Sequence, residues 1–431
     1  MFLNMMQDWA GWLLMLFNFS IVLMFKRVRS DTKVIYAIWF CMVLHHVVAY
    51  YHVYIPDASK LFYYLYIPDA ASFHGDGAYL AALPEPKRLS VFTNGAINFT
   101  HSLGFVYRAF SSSFLFGKEL SVSAFTLSCV VLVKLVDHLD LRRFCVGIIL
   151  IFGLMPSAIV FRSATLREPW QALFFLLFVY WAIRLRKRTS MLILLFMLMS
   201  AFCMAYLHHG LARYAIYLVV FGIYWGIFSR QVRNRFTPLI INLLLAGLLI
   251  ACVIISSQKM GLLMSPGEGL EKGADMRQTL LKYKEVRTNF SFILDTSSVF
   301  GIVTTFPMVF AEYMFAPFPW QVECSKDIYA MLESILRFVL SFFALFSWRR
   351  SSSEARSCCR FLFIVVLGME FMWALGTANW GTAVRHHVPG YSIVALLGAP
   401  GLIQFIRKLD FKMFGRGKVS GEFNEQVRHM S

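Results

Sequence analysis

Three short stretches of an otherwise apolar chain gather cations and hydrogen-bond donors. Phe161–Pro169 carries Arg162, Arg167 and Glu168, and Leu207–Arg213 carries His208, His209 and Arg213. Asn379–Pro389 carries Trp380, Arg385, His386 and His387. A guanidinium offers a rigid fork of N–H donors that fits phosphate oxygens two at a time. Arg162, Arg167, Arg213 and Arg385, with the histidines beside them, therefore read as substrate-binding residues for a phosphate or pyrophosphate. Trp380, like Trp320 elsewhere, is a flat apolar surface able to stack on a sugar ring.

Carboxylates supply the complementary chemistry. Asp69, His74 and Asp76 fall within eight residues, with Gly75 and Gly77 between and after them. Glu168 stands beside Arg167. A carboxylate near a bilayer acts as general base towards a hydroxyl, or holds a divalent cation. Asp69, Asp76, Glu168 and His74 are the catalytic candidates, with His208, His209 and His386 as further bases. The pairs His208-His209 and His386-His387 do not suit a transition metal, because adjacent helical residues point about 100° apart. His209 and Arg213, four apart, share a helical face. No zinc-type CxxC and no nucleotide-binding glycine loop occurs, so fuel from ATP is not written in the sequence. Deeper in apolar segments, Arg337 and Glu370 are expected to pair with each other, since unpaired charge in hydrocarbon is expensive.

The elements that position these residues follow from composition. The chain has 431 residues, 58% apolar and 15% charged, against about 45–50% and 25% for soluble domains. A helix crosses a bilayer with about 20 apolar residues. That rule gives eleven spans, near 8–25, 34–55, 119–136, 144–161, 170–183, 190–207, 214–228, 238–257, 328–347, 361–378 and 389–406. The expectation is one all-α, polytopic membrane bundle over 1–431. It has two long outer loops, 56–118 and 258–327, the second with an interfacial or re-entrant part, and a basic tail, 407–431.

Orientation follows from charge. With the N-terminus outside, the inner segments hold 24 Lys and Arg against 7 acids, while the remainder holds 17 of each. The whole excess of +17 then lies on one face, as retention of basic loops in the cytoplasm requires, and nucleic acid is not needed to explain it. The N-terminus is expected in the periplasm and the C-terminus in the cytoplasm of a bacterial inner membrane. The Arg- and His-bearing stretches then lie outside, where cations go against the bias. Only Cys324 is expected outside, so no external disulfide forms within one chain.

Taken together, many spans, a long first outer loop bearing acids and Arg-rich outer loops resemble the GT-C class of polyprenyl-phosphate-dependent glycosyltransferases. They are equally similar to repeat-unit polymerases of bacterial surface polysaccharides, which Ala316–Trp320 and Asn379–His387 also resemble. Unlike in many GT-C enzymes, the acidic loop here follows the second span and its acids are not contiguous, which moves weight towards a polymerase or ligase. The resemblance implies periplasmic transfer or polymerisation of saccharides from an undecaprenyl-linked donor, alongside polysaccharide assembly proteins. The competing expectation is a transporter or flippase of a lipid-linked saccharide or small solute, with functional charge at the midplane.

Overall fold

A computed structural model describes residues 8–55, 67–84, 95–228, 288–295, 297–347 and 352–414. The expected span 238–257, the first part of the loop 258–327 (258–287) and the tail beyond 414 lie outside these residues. Within them the chain is all-helical apart from one isolated bridge between Asn289 and Asn379.

The first elements are α1 (Trp9–Met24), α2 (Lys26–Arg29) and α3 (Thr32–Tyr54). Asp31 ends the basic turn and caps α3, its carboxylate accepting from the Lys33 and Val34 amides, which would otherwise be orphaned. Next come α4 (Pro68–Ala82), α5 (Gly95–Ala109) and α6 (Phe114–His138). The stretch expected as a first outer loop is not simply a loop: its described part holds α4 and α5. These pack closely where Gly104 meets Leu80 and Gly77 meets Leu103, positions where an added Cβ would lie 2.8 and 3.0 Å from the facing side chain.

A bent pair follows, α7 (Cys145–Gly153) and α8 (Pro156–Arg162). The single span expected at 144–161 is broken by 69°. Pro156 cannot donate its nitrogen to a continuing helix and holds Met155 extended, so the chain restarts in a new direction. Then come α9 (Glu168–Lys187), α10 (Met191–Leu207) and α11 (His209–Ile223). After the undescribed segment stand α12 (Val299–Phe315), α13 (Ser325–Ser347), α14 (Ser353–Gly376) and α15 (Trp380–Phe414).

Among the described residues, six helices are long and apolar enough to cross a membrane, seven if the bent pair forms one span. Several apolar helices of that length make this a multi-pass membrane protein. The helices α1 and α10 are apolar but shorter, at 16 and 17 residues.

Two boundaries differ from expectation in a way that matters for the site. Pro389 marks the start of the last span in the sequence, yet it sits inside α15, which begins at Trp380. Proline is tolerated inside membrane helices, and α15 continues through it, with the Ser392 hydroxyl donating to the Pro389 carbonyl at 2.7 Å within the same turn. Glu168, expected in a loop, opens α9 with Pro169 behind it. Arg385 and Glu168 thus stand on helices, whose backbone holds them more rigidly than a loop does.

The interior is mainly Val, Ile, Leu and Phe from α3, α6, α7, α9 and α15. Buried polar contacts tie it together. Glu119 on α6 accepts from Asn18 on α1 at 3.1 Å and meets His46 on α3 at 2.8 Å. At one end of the bundle lie Arg27 and Arg142, both on Asp137, and Lys187 beside His138. The opposite end is about 30 Å away, the length of the 20-residue α9, and there the candidate residues collect.

Candidate functional site: a four-charge cluster beside an apolar groove

Four charged side chains from three separate parts of the chain meet at that end. Arg385, in the second turn of α15, donates Nη1 to Asp69 Oδ2 at 2.5 Å and Nη2 to Glu168 Oε1 at 2.7 Å. Asp69 and Glu168 stand in the first turns of α4 and α9, where a negative charge also complements the helix dipole. Arg167, the residue before α9, is the fourth member. Burial holds its guanidinium below the ordinary value, and Glu168 and Asp69 pull it back up. The Glu168 side chain is only 4% exposed and that of Asp69 is 53% exposed. One carboxylate is therefore fixed inside and the other opens to solvent.

The cluster is not saturated. Arg385 Nε, Arg167 Nε and Glu168 Oε2 are buried with no hydrogen-bond partner. Orphaned atoms of this kind are costly and call for a ligand or water. Two of them are guanidinium donors, the kind of group an anion satisfies.

Beside the cluster runs an apolar groove of about 410 Å³, lined chiefly by Phe99, Leu103, Trp170, Phe174, Phe202 and Leu207. Two of its lining residues, Trp170 and Leu207, adjoin the cluster. Trp170 lies two residues after Glu168, and Arg167 Nη1 approaches the Leu207 carbonyl at 3.5 Å. A polar head over Arg167 and a hydrocarbon chain along the groove can share one amphiphilic ligand.

Further along the same rim stands a ring stack. His386 lies on Trp373 with centroids 3.9 Å apart and planes 16° apart, and His208 meets Trp373 edge-on at 4.8 Å. His208 also caps α11, its Nδ1 accepting from the Gly210 amide. The Thr377 hydroxyl donates to the Trp373 carbonyl at 2.7 Å, so its contact with His386 Nδ1 at 2.8 Å requires the ring to donate there. That tautomer leaves His386 Nε2 as an acceptor, the form a general base needs. Trp373 and Thr377 were missed in the sequence because both read as ordinary residues of an apolar span; their spacing of four is the signal that they share a face.

Other expected members lie elsewhere. Arg162, expected to clamp phosphate, is fully buried and donates Nη1 to the Phe152 carbonyl at 2.9 Å, with its guanidinium 3.9 Å from the Phe152 ring centroid. It caps the broken end of α7, whose last carbonyls have no helical partner. His74 is buried, hydrogen-bonded to the Tyr107 hydroxyl at 3.0 Å and stacked on Phe114 at 3.8 Å. Burial, reinforced by the Lys118 cation, pushes its imidazole down to about 4, and none of its contacts reach Asp69.

Asp76 is exposed on α4 two turns from Asp69, on the same face but about 10 Å further along. Trp380 is buried at 5%, so it packs the core, whereas Trp320 is 78% exposed. Arg213 stands in the second turn of α11. The side chain of His209 lies outside the described residues.

The Arg337–Glu370 pair is replaced by a wider network. Glu370 Oε2 accepts from the Tyr313 hydroxyl at 3.0 Å and meets His387 Nδ1 at 2.8 Å. Arg337 instead donates Nε to the Met314 carbonyl at 2.7 Å and Nη2 to the Ser334 hydroxyl at 2.9 Å. Each of the two charges thus bonds to α12, one to the Met314 carbonyl and the other to the Tyr313 hydroxyl. His387 Nε2 contacts the Tyr313 carbonyl at 3.1 Å, an atom that only accepts, so Nε2 carries hydrogen. One proton must then lie between His387 Nδ1 and Glu370.

Residues 385, 386 and 387 thus face three different partners, as the 100° step of a helix dictates. Comparison with known proteins finds no family model and no curated protein that matches this chain.

Proposed function

We propose that the protein transfers or polymerises saccharides carried on undecaprenyl phosphate or pyrophosphate, at the periplasmic face of a bacterial inner membrane. The observation that supports this reading most is the placing of orphaned guanidinium donors on Arg167 and Arg385 beside an apolar groove. A lipid phosphate needs the first and its isoprenoid chain needs the second. The donor's phosphate lies on Arg167 and Arg385, and its tail follows Phe99, Trp170 and Phe202. When the acceptor hydroxyl attacks the anomeric carbon, the sugar–phosphate bond breaks. The departing phosphate then gains negative charge, which the two guanidinium groups stabilise.

Arg385 holds Asp69 and Glu168 in place, and the acceptor proton passes to Asp69, the carboxylate open to solvent, or to His386 Nε2. The acceptor chain lies over the exposed face of α4, where Asp69, Asp76 and Tyr79 form one stripe. No nucleotide-sugar site is required when the donor arrives on lipid. The test is reconstitution of the full chain in liposomes with an undecaprenyl-pyrophosphate-linked oligosaccharide. Chain extension, lost in Arg385→Ala, is the expected result. Unchanged lipid-linked sugar after long incubation overturns the reading.

A second reading is favoured by the buried Glu370–His387–Tyr313 network with Arg337 nearby. Charge at that depth is usual in transporters. It predicts movement of the lipid-linked sugar across the liposome bilayer without any new glycosidic bond.

A further inference from the structure

At the basic end of the bundle, far from the cluster above, α13 and α15 pack closely. They touch where α15 has glycines: a Cβ on Gly398 would clash with the Leu340 carbonyl, and one on Gly401 would lie 2.9 Å from the Phe343 ring. Small residues let helix backbones approach in this way. Around Gly401 and Phe405 lies a cleft of about 350 Å³, closed on its third side by the turn that joins α6 to α7. That is within the range of small-molecule sites.

The walls are Phe144, Phe343, Phe346 and Phe405, and the rim carries Arg143 and Lys408. Phe346 is 42% and Phe405 49% exposed, so the aromatic wall is continuous with the bundle's outer apolar surface. Asp140 and Ser352 also line the cleft, which leaves its lining residues at a net charge of +1. The two cations differ from their neighbours. Arg27 and Arg142 are both engaged by Asp137. Among the described residues, Arg143 and Lys408 have no carboxylate within 4.0 Å. The Arg143 guanidinium rests over the Phe144 ring, 4.7 Å from its centroid.

We propose that this cleft binds an anionic glycerophospholipid. Its phosphate sits between Arg143 and Lys408, and the upper part of its acyl chains lies against Phe343, Phe346 and Phe405. An aromatic trough open to hydrocarbon and rimmed by unpaired cations matches an amphiphile with net negative charge. A zwitterionic lipid offers the same chains, but its own ammonium competes for the phosphate. Each basic residue near an anionic headgroup contributes roughly fivefold, so the two cations together give a preference on the order of tenfold or more over a zwitterionic lipid. The site is independent of the proposed chemistry at the other end.

The test uses the purified full chain in a neutral detergent, read by native mass spectrometry and by the thermal unfolding midpoint. Three additives are compared: phosphatidylglycerol, phosphatidylcholine of the same chains, and glycerol phosphate alone. Phosphatidylglycerol should be retained about tenfold better than phosphatidylcholine and raise the midpoint, and glycerol phosphate should do neither. The double variant Arg143→Gln/Lys408→Gln should lose the preference while keeping its lipid-free midpoint, because both side chains are exposed. A control, Arg29→Gln/Lys33→Gln, removes two exposed cations of the basic end outside the cleft and should keep the preference. Equal retention of both lipids by the wild type, an unchanged preference in the cleft variant, or an equal loss in the control overturns the proposal. A midpoint raised as much by glycerol phosphate also overturns it, since the ligand is then a free phosphate.

Discussion

Arg385 donates to Glu168 across 2.7 Å although 217 residues separate them. The same guanidinium reaches Asp69 through its other terminal nitrogen. One side chain therefore fixes the starts of α4 and α9 against α15.

Removing it strands the buried Glu168 carboxylate. Arg385→Ala should destabilise the fold by about 3 kcal/mol, and Glu168→Gln in the same background should recover part of that. Arg385→Lys keeps the charge but loses the planar fork whose two terminal nitrogens reach Asp69 and Glu168, and product should fall on the order of tenfold or more at normal protein level. Lipid-linked precursor should accumulate in both Arg385 variants. Polysaccharide of normal amount and length from both would leave the cluster a structural strut.

Filling the groove separates its role from that of the charges. Ser102→Trp places a ring in the 410 Å³ space without touching Arg167 or Glu168. Turnover of a long-chain donor should drop at least about tenfold while a donor with a two-isoprene chain is spared, since only the longer chain needs the groove. A parallel check is maleimide labelling of Cys203, which lines the groove and should be slowed by undecaprenyl phosphate. Equal loss with both donors argues against a chain site.

The interior network makes a different demand. Glu370 and His387 touch at 2.8 Å and share a proton, so a double-mutant cycle of Glu370→Gln and His387→Phe should show coupling of about 1–3 kcal/mol. The cycle of Glu370→Gln with Arg337→Met should give a smaller value, because Arg337 is held by the Met314 carbonyl and Ser334. A larger coupling for the Arg337 cycle would restore the direct pair expected from the sequence.

His74 gives a pH signature. Its imidazole is held down to about 4 in the folded protein, against about 6.5 in an unfolded chain. Between those values the unfolded chain binds the extra proton. Stability is therefore full above pH ~6.5 and falls as pH drops towards ~4, by at most about 3 kcal/mol from this residue. His74→Phe keeps the stack on Phe114 and removes the titration. The thermal midpoint of that variant should vary less across this window than the wild type's. Parallel slopes for the two proteins would contradict the assignment.

Orientation is the simplest expectation to check. A cysteine at Asp76 should react with an impermeant reagent added outside intact cells, and one at Lys187 only after permeabilisation. The two lie at opposite ends of the bundle, so labelling of Lys187→Cys from outside would reverse the proposed face of the cluster.

Much of this protein is local information, and the sequence determines it. Apolar runs near 20 residues specify helices, and a segregated excess of Lys and Arg predicts a polarity for the bundle. The cations Arg167 and Arg385 and the acids Asp69 and Glu168 stand out because such residues are costly next to hydrocarbon wherever they point. Direction was not legible. Arg162 and Arg167 look alike in sequence, yet the break at Pro156 turns one inward onto the Phe152 carbonyl and leaves the other at the rim. Arg385, His386 and His387 are consecutive, and the helical step sends them to Glu168, Trp373 and Glu370. Pro389 and Glu168 read as span boundaries because their local signals are real, but one lies inside α15 and the other opens α9. Arg337 and Glu370 do not touch, because each is held by α12 and its neighbours instead. Composition sets which groups must be paired, since burial makes solitary charge expensive. Only the packing of distant segments decides which partner is within 3 Å.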